Sequence, residues 1–216
     1  FPVPFDIGGL PLPDAFVATT PAINADRQKP LIAIADNFCS LGAFEWDGNE
    51  LSVAWRASHE FKKHSSTTLS PNGLMGFGRQ DGKVFAHDAF TGVKKWEYDV
   101  GEPVLATPSA TPGEFIYVVS KNHIQVLHVA DGTLVQDGTQ PMKLELLDQT
   151  HSSAALTANR VYVATGEMLT ITHDLKTRGH DSNFRGNGLS SVAVGRKGDV
   201  YAVGIDGRIH KYGGTE

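Results

Sequence analysis

Apolar and polar residues alternate in short runs along this chain, and no segment of useful length carries the period of an amphipathic helix. The clearest stretch lies between residues 65 and 101, where LMGFGRQDG, KVFAHDAFTG and VKKWEYDVG succeed one another. Pro71-Asn72-Gly73, Asp81-Gly82 and Thr91-Gly92 punctuate it at hairpin positions, the chemistry expected of tight turns between strands. PLIAIADN, FIYVVSKNH, RVYVATGE and DVYAVGIDG repeat the pattern of a second strand, and AFEWDGNE, QVLHVADGT, LTITHDLK and RIHKYGG that of a third. The pattern predicts an all-β protein.

A short anchor returns five times ahead of these runs. It reads Thr20-Pro21-Ala22-Ile23, Ser65-Ser66-Thr67-Thr68-Leu69, Thr107-Pro108-Ser109-Ala110-Thr111, Ser152-Ser153-Ala154-Ala155-Leu156 and Ser190-Ser191-Val192-Ala193-Val194, at spacings of 45, 42, 45 and 38 residues. Four short strands per repeat of about 40–45 residues make a β-propeller blade. The expectation is one propeller domain over 1–216 with five four-stranded antiparallel blades: 20–61, 62–103, 104–149, 150–187, and 188–216 completed by 1–8. The last repeat has three strands, and Phe1-Pro2-Val3-Pro4-Phe5-Asp6-Ile7-Gly8 overlays the fourth strand of repeat two, Val3 falling on Trp96 and Phe5 on Tyr98. The N-terminus is therefore expected to pair with the last third strand and close the ring, removing a sheet edge. Pro2 and Pro4 suit an outermost strand. A fragment of a longer propeller is the other reading.

The block Asp81-Gly82-Lys83-Val84-Phe85-Ala86-His87-Asp88-Ala89-Phe90-Thr91-Gly92, followed by Lys95-Trp96, resembles the quinoprotein-type (PQQ-like) repeat. Asp206-Gly207-Arg208-Ile209-His210 and His128-Val129-Ala130-Asp131-Gly132-Thr133 are weaker copies. That repeat family contains eight-bladed quinone-dependent dehydrogenases and also catalytically silent propellers of the outer-membrane assembly type. The resemblance implies a propeller of periplasmic or secreted habit; a cytoplasmic one stays open. The chain departs from the dehydrogenases in having a single cysteine, Cys39, where they carry an adjacent pair, and in showing no match to their calcium-binding acidic positions. These departures argue against a quinone cofactor.

A net charge of −5 without a basic run argues against a nucleic-acid partner. No apolar run approaches a membrane span. One cysteine allows no intrachain disulfide. No signal peptide is evident, and a chain opening on Phe1 is expected to be a processed or trimmed form.

In a propeller the turns between second and third strands, and the connections entering each first strand, open on the funnel face. That logic gathers Asp36, Asn37, Arg79, Asp81, Lys121, Glu167 and Asp206 there, with His64 and His151 at the same repeat position. Two funnel imidazoles could bind a metal or act as acid and base; equally, each could brace one structural turn. His87, His128 and His173 align in the third strand, where packing is the better account. Segment 176–188, with Arg178, His180, Asp181 and Arg185, reads either as an irregular funnel-side loop or as a degenerate outer strand. Segment 137–149 reads as an apolar partner surface or as an ordinary outer strand. Inner strands almost free of carboxylates argue against glycoside hydrolysis.

Two functions remain. One is a non-catalytic binding propeller holding a protein, peptide or glycan through Asp36, His64, Arg79, Lys121, His151, Glu167, Arg178 and Asp206. The other is a hydrolase- or lyase-type enzyme or metal protein centred on His64, His151 and Asp181. Oligomeric state is not legible.

Overall fold

A computed structural model describes residues 19–24, 28–35, 40–58, 65–176, 178–188, 191–195 and 197–212. These residues form strands and turns, with no helix among them. The first sheet holds β1 (Ala22–Asn24), β2 (Leu31–Ala35), β3 (Ser40–Trp46) and β4 (Leu51–Ser58) in chain order. The second holds β5 (Thr68–Leu69), β6 (Leu74–Gly78), β7 (Lys83–Asp88) and β8 (Lys94–Asp99). In the third, β9 (Ser109–Ala110), β10 (Phe115–Val119) and β11 (His123–His128) pair outward to β14 (Lys143–Glu145), while β12 (Gln136–Asp137) and β13 (Gln140–Pro141) make a separate small hairpin. The fourth holds β15 (Ala155–Leu156), β16 (Arg160–Ala164), β17 (Met168–Thr172) and β18 (Arg178–Asp181). The fifth is three-stranded, with β19 (Ala193–Val194), β20 (Val200–Val203) and β21 (Ile209–Tyr212). Every pairing is antiparallel, and each joins chain neighbours except β11–β14, where the small hairpin intervenes.

Consecutive sheets pack face to face. Leu31, Ala33, Ala35, Leu41 and Ala43 of the first meet Met75, Phe77 and Phe85 of the second. Val84, Ala86 and Trp96 of the second meet Ile116, Val118 and Leu127 of the third. Tyr117, Val119, Ile124 and Val126 meet Val161, Val163, Leu169 and Ile171 across the next seam. Tyr162, Ala164 and Met168 meet Val200 and Ala202 across the last. Successive side chains of each second strand point to opposite faces: β2 and β20 alternate in burial, while β10 and β16 are apolar and buried on both faces because a sheet lies on either side.

The anchor motif now has a physical reason. The Thr20 amide donates to Ser66 Oγ at 2.8 Å, Thr107 to Ser153 Oγ at 2.8 Å, and Ser153 to Ser191 Oγ at 3.1 Å. A hydroxyl is needed at that step because the inner strand has no ladder partner on its far side, and its amides must find acceptors elsewhere. Small residues there also let the inner strands crowd together.

Two seams carry an indole clamp. Trp55, opposite Ala43 in the outer strand of the first sheet, donates Nε1–H to Ala89 O at 2.7 Å in the second. Trp96, opposite Ala86, does the same to Val129 O of the third at 2.8 Å. Each ring lies on the glycine of the facing turn: a Cβ on Gly92 or Gly132 would stand 2.6 Å and 2.5 Å from the indole. Both glycines also have positive φ, 74° and 72°, which explains the Thr-Gly and Asp-Gly pairs of the repeat. At the corresponding place the third sheet has Met142, whose carbonyl accepts Val126 N–H at 3.1 Å, and the fourth has Gly179 opposite Thr170.

Three sequence expectations are resolved or corrected. Segment 176–188 does form an outer strand, β18, so Arg178 stands on the rim of the fourth sheet and not in a funnel loop. Segment 137–149 is the outer strand β14 with its preceding hairpin: Leu144 and Leu146 are core, and Leu147 is exposed. The three aligned histidines are out of register, because His87 precedes the end of β7, His128 ends β11, and His173 follows β17. Residues 1–8, expected to complete the last sheet, lie outside the described residues, as do Asp36, Asn37, Cys39 and His64.

Candidate functional site

On the funnel face the turns between second and third strands are tied to the inter-sheet connections. Val104 N–H donates to Arg79 O at 3.1 Å, Lys121 N–H to Pro103 O at 3.2 Å, Thr150 N–H to Lys121 O at 3.0 Å, and Ile205 N–H to Arg185 O at 2.8 Å. Gly78 belongs to this tight fit, since a Cβ there would stand 2.2 Å from Val104. These bonds and the close fit at Gly78 tie the turns of neighbouring sheets together along the rim.

The charged groups on this rim mostly brace it. Arg79 is buried, donating Nε–H and Nη2–H to the Asp81 carboxylate at 2.7 and 2.6 Å with its guanidinium 4.7 Å above the Phe85 ring. Such a bidentate, stacked arginine is a turn clamp. Asp206 accepts Arg208 N–H at 3.0 Å and stands 3.7 Å from His210 Nε2; the backbone hydrogen bond holds its carboxyl below the ordinary value. Glu167 is half-buried beside His180 Nδ1, 3.6 Å away. Lys121 and His151 are half-buried, and the His151 amide donates to Gly188 O at 2.6 Å. No group of three or more His, Cys, Asp or Glu among the described residues is arranged to hold a metal ion.

A cluster that the sequence reading passed over sits between the second and third sheets. Glu102 Oε2 accepts Asn122 N–H at 2.8 Å and Nδ2–H at 3.1 Å, while its Oε1 meets His123 Nδ1. Burial works against ionisation here, but these donors prevail and hold the Glu102 carboxyl below the usual range. The Asn122-His123 pair at a turn tip, with an acidic residue in the preceding connection, was the available signal. Asp181 is anchored likewise, by Asn183 N–H and Tyr212 Oη–H, both at 2.9 Å. The Asn183 amide is the main cause of its lowered pKa, and burial first and the Asp181 hydrogen bond second raise that of Tyr212. The Tyr212 ring stacks on His210, and Phe184 meets both edge-on.

Two clefts open at the opposite end of the sheets, where first-to-second hairpins and third-to-fourth turns lie. One, of about 710 Å³, lies between the second and third sheets and includes Asn72, Asp88, Lys95, Glu114 and His128. The other, of about 860 Å³, lies between the third and fourth and is mainly apolar, with Pro112, Phe115, Met142 and Leu156 on its walls. Tyr117 forms its floor, donating Oη–H to His173 O at 2.9 Å; burial pushes its phenol up to about 12. His173 Nε2 lies 2.9 Å from Thr157 O. The missing indole of the third repeat was the sequence signal for this cleft.

This arrangement defines a PQQ-repeat β-propeller. Residues 43–212 match the family described as outer membrane protein assembly factor BamB, and the chain belongs to that family. The structure is similar to BamB from Moraxella catarrhalis, at 18% identity and a TM-score of 0.65, covering 92% of this chain and 62% of that one. It is also similar to the C-terminal WD40 domain of Sif2, at 13% identity and a TM-score of 0.67, covering 93% and 58%. In sequence, 120 residues are 28% identical to lupanine 17-hydroxylase [cytochrome c] of a Pseudomonas species, 54% of this chain and 15% of that protein. The chain thus spans less than two thirds of each of these relatives.

Proposed function

We propose that the chain is a binding propeller that holds an extended protein segment, in a periplasmic or otherwise exported setting. The observation that carries this reading is the apolar cleft of about 860 Å³ between the third and fourth sheets. It is walled by half-exposed Phe115, Met142 and Leu156 and sits on a rigid hydrogen-bonded frame. Such a site takes an aromatic or branched side chain while strand edges and turns supply main-chain hydrogen bonds. Membership of an assembly-factor family supports the same class of ligand. The funnel rim, with Lys121, His151, Glu167 and Asp206, is the second face on which such a segment, or a glycan, would lie.

The test is binding of a fluorescent peptide with the alternating aromatic pattern of an outer-membrane strand, followed by polarisation. Leu156→Arg or Met142→Arg should weaken it by about tenfold or more at a temperature where circular dichroism shows each variant still folded. If Lys121→Ala and Glu167→Ala weaken binding and the cleft variants do not, the ligand belongs on the funnel face. The similarity to lupanine hydroxylase favours a second reading, a redox propeller. The chain differs from the quinone-dependent dehydrogenases in having one cysteine in place of an adjacent pair, which weighs for the binding reading. Turnover in a dehydrogenase assay that His151→Ala abolishes would replace the binding reading.

A further inference from the structure

The two clefts at the end opposite the funnel share a wall. Gly113 and Glu114, at the tip of the hairpin joining β9 to β10, border both of them. Successive side chains of β10 point to opposite sheets. Tyr117 and Val119 pack toward the fourth sheet, and Phe115 joins them on that side, in the apolar cleft. Ile116 and Val118 pack toward the second sheet, which puts Glu114, opposite Val129, on the side of the polar cleft. The ridge between the clefts is low at Gly113, where an added Cβ would meet nothing within 4 Å. An extended chain can therefore cross from one cleft to the other over a glycine.

Charge is the second observation. Three carboxylates border the two clefts, those of Asp88, Glu114 and Asp174, against one lysine, Lys95. Lys95 is already engaged, its Nζ lying 3.3 Å from Asp88 Oδ2. Glu114 is exposed and has no cation within ion-pair reach among the described residues. Asp174 accepts the Thr172 hydroxyl at 2.6 Å and Lys176 N–H at 3.1 Å, and the hydroxyl leads in holding its carboxyl below the ordinary value. The balance at this end is negative, directly beside apolar walls.

We propose that the segment held by the apolar cleft carries a basic residue close in sequence to its aromatic or branched anchor, and that this residue crosses the hairpin tip to lie against Glu114. The inference rests on the binding reading above and gives it a chemical class: a basic, apolar segment of a partner protein, not an acidic or purely apolar one. Complementary charge of this kind selects among segments and fixes their register more than it raises affinity.

Fluorescence polarisation of the 216-residue chain with matched peptides tests this. All carry the same aromatic anchor, and a second residue, moved through successive positions, is lysine, glutamine or glutamate. At its best spacing the lysine peptide should bind the parent about three- to fivefold more tightly than the glutamine one, and the glutamate peptide should bind more weakly than either. Added salt should erase the preference. Glu114→Lys should reverse the order, so that the glutamate peptide becomes the tightest, a gain that a misfolded variant could not show. If Leu156→Arg weakens every peptide while the three bind the parent alike, the apolar cleft stands and the basic contact is overturned. If Leu156→Arg leaves all binding unchanged, the cleft reading falls and takes this inference with it. A preference of the parent for glutamate, or a lysine preference that survives Glu114→Lys, overturns the inference alone.

Discussion

The seams on either side of the second sheet and those on either side of the fourth share topology but not adhesive. At the first two, an indole from one outer strand lies on a glycine turn of the next sheet and donates to its carbonyl. At the later two the indole is gone. Tyr117 reaches His173 O instead, and Tyr212 reaches back to Asp181. The early seams join a large buried apolar area to an indole hydrogen bond, and the one between the second and third sheets adds the Glu102–His123 contact on its funnel side. The later seams depend on hydroxyls, imidazoles and a carboxylate, and the more apolar of the two clefts lies at one of them, between the third and fourth sheets. One repeat template can thus close the outer strand onto its neighbour with an indole or leave that place to smaller groups, according to a single residue.

That contrast can be broken at several points. Trp96→Ala should cost about 3–5 kcal/mol in chemical denaturation, the range for emptying a buried aromatic site, and Trp55→Ala should behave alike. Gly132→Ala, which forces a side chain into the indole at a positive φ, should cost about 2–4 kcal/mol. Met142→Ala, at the equivalent but half-open place, should cost only about 1–2 kcal/mol; a loss equal to that of Trp96→Ala would erase the distinction. Tyr212→Phe should cost about 1 kcal/mol and alter the pH profile. Asp181 is held below its ordinary pKa, so its contribution is present above about pH 4 and fades on acidification. Tyr212 is raised, so its contribution persists below about pH 10 and is lost as the solution becomes more alkaline. Thermal melts of the parent against Tyr212→Phe between these limits should converge at both extremes. Ser153→Ala, which removes one inner-strand acceptor, should have the smallest effect, about 0.5–1.5 kcal/mol.

Much of the fold was readable because it is periodic. The alternation of β6, β10, β16 and β20, and the glycines at turns, are local signals that tertiary context did not override. The Ser-Ser and Thr-Pro anchors announced the repeat, although their role as acceptors for a neighbouring sheet needs three dimensions. The register of the third strands was harder. The turn before the third strand shortens from residues 79–83 ahead of Val84 to 120–123 ahead of Ile124 and 165–167 ahead of Met168, which carries His128 to the end of its strand and His173 past it, and hairpin β12–β13 hides the real outer strand of the third sheet. The site was least legible. Arg79 and Asp206 read as rim ligands because charge and position are visible in sequence, whereas the Asp81 clamp on one and the Arg208 amide on the other are not. The Glu102–His123 contact joins residues 21 apart, across two turns that no motif links. The apolar cleft depends on what fails to fill it, a property of volume.

The inner-strand amides also give the molecule a direction in time. Thr20, Thr107 and Ser153 each donate an N–H hydrogen bond to a hydroxyl that lies later in the chain, and Trp55, Trp96 and Tyr117 donate side-chain hydrogen bonds to later carbonyls. During synthesis an earlier sheet therefore emerges with donors still facing water, and it is satisfied only when its successor leaves the ribosome. Growth proceeds by capping a leading surface, each addition creating the next one to be capped. Nascent intermediates of every length would then share one vulnerable face, always on the same side, and a chaperone that recognised that face once would recognise it at every stage.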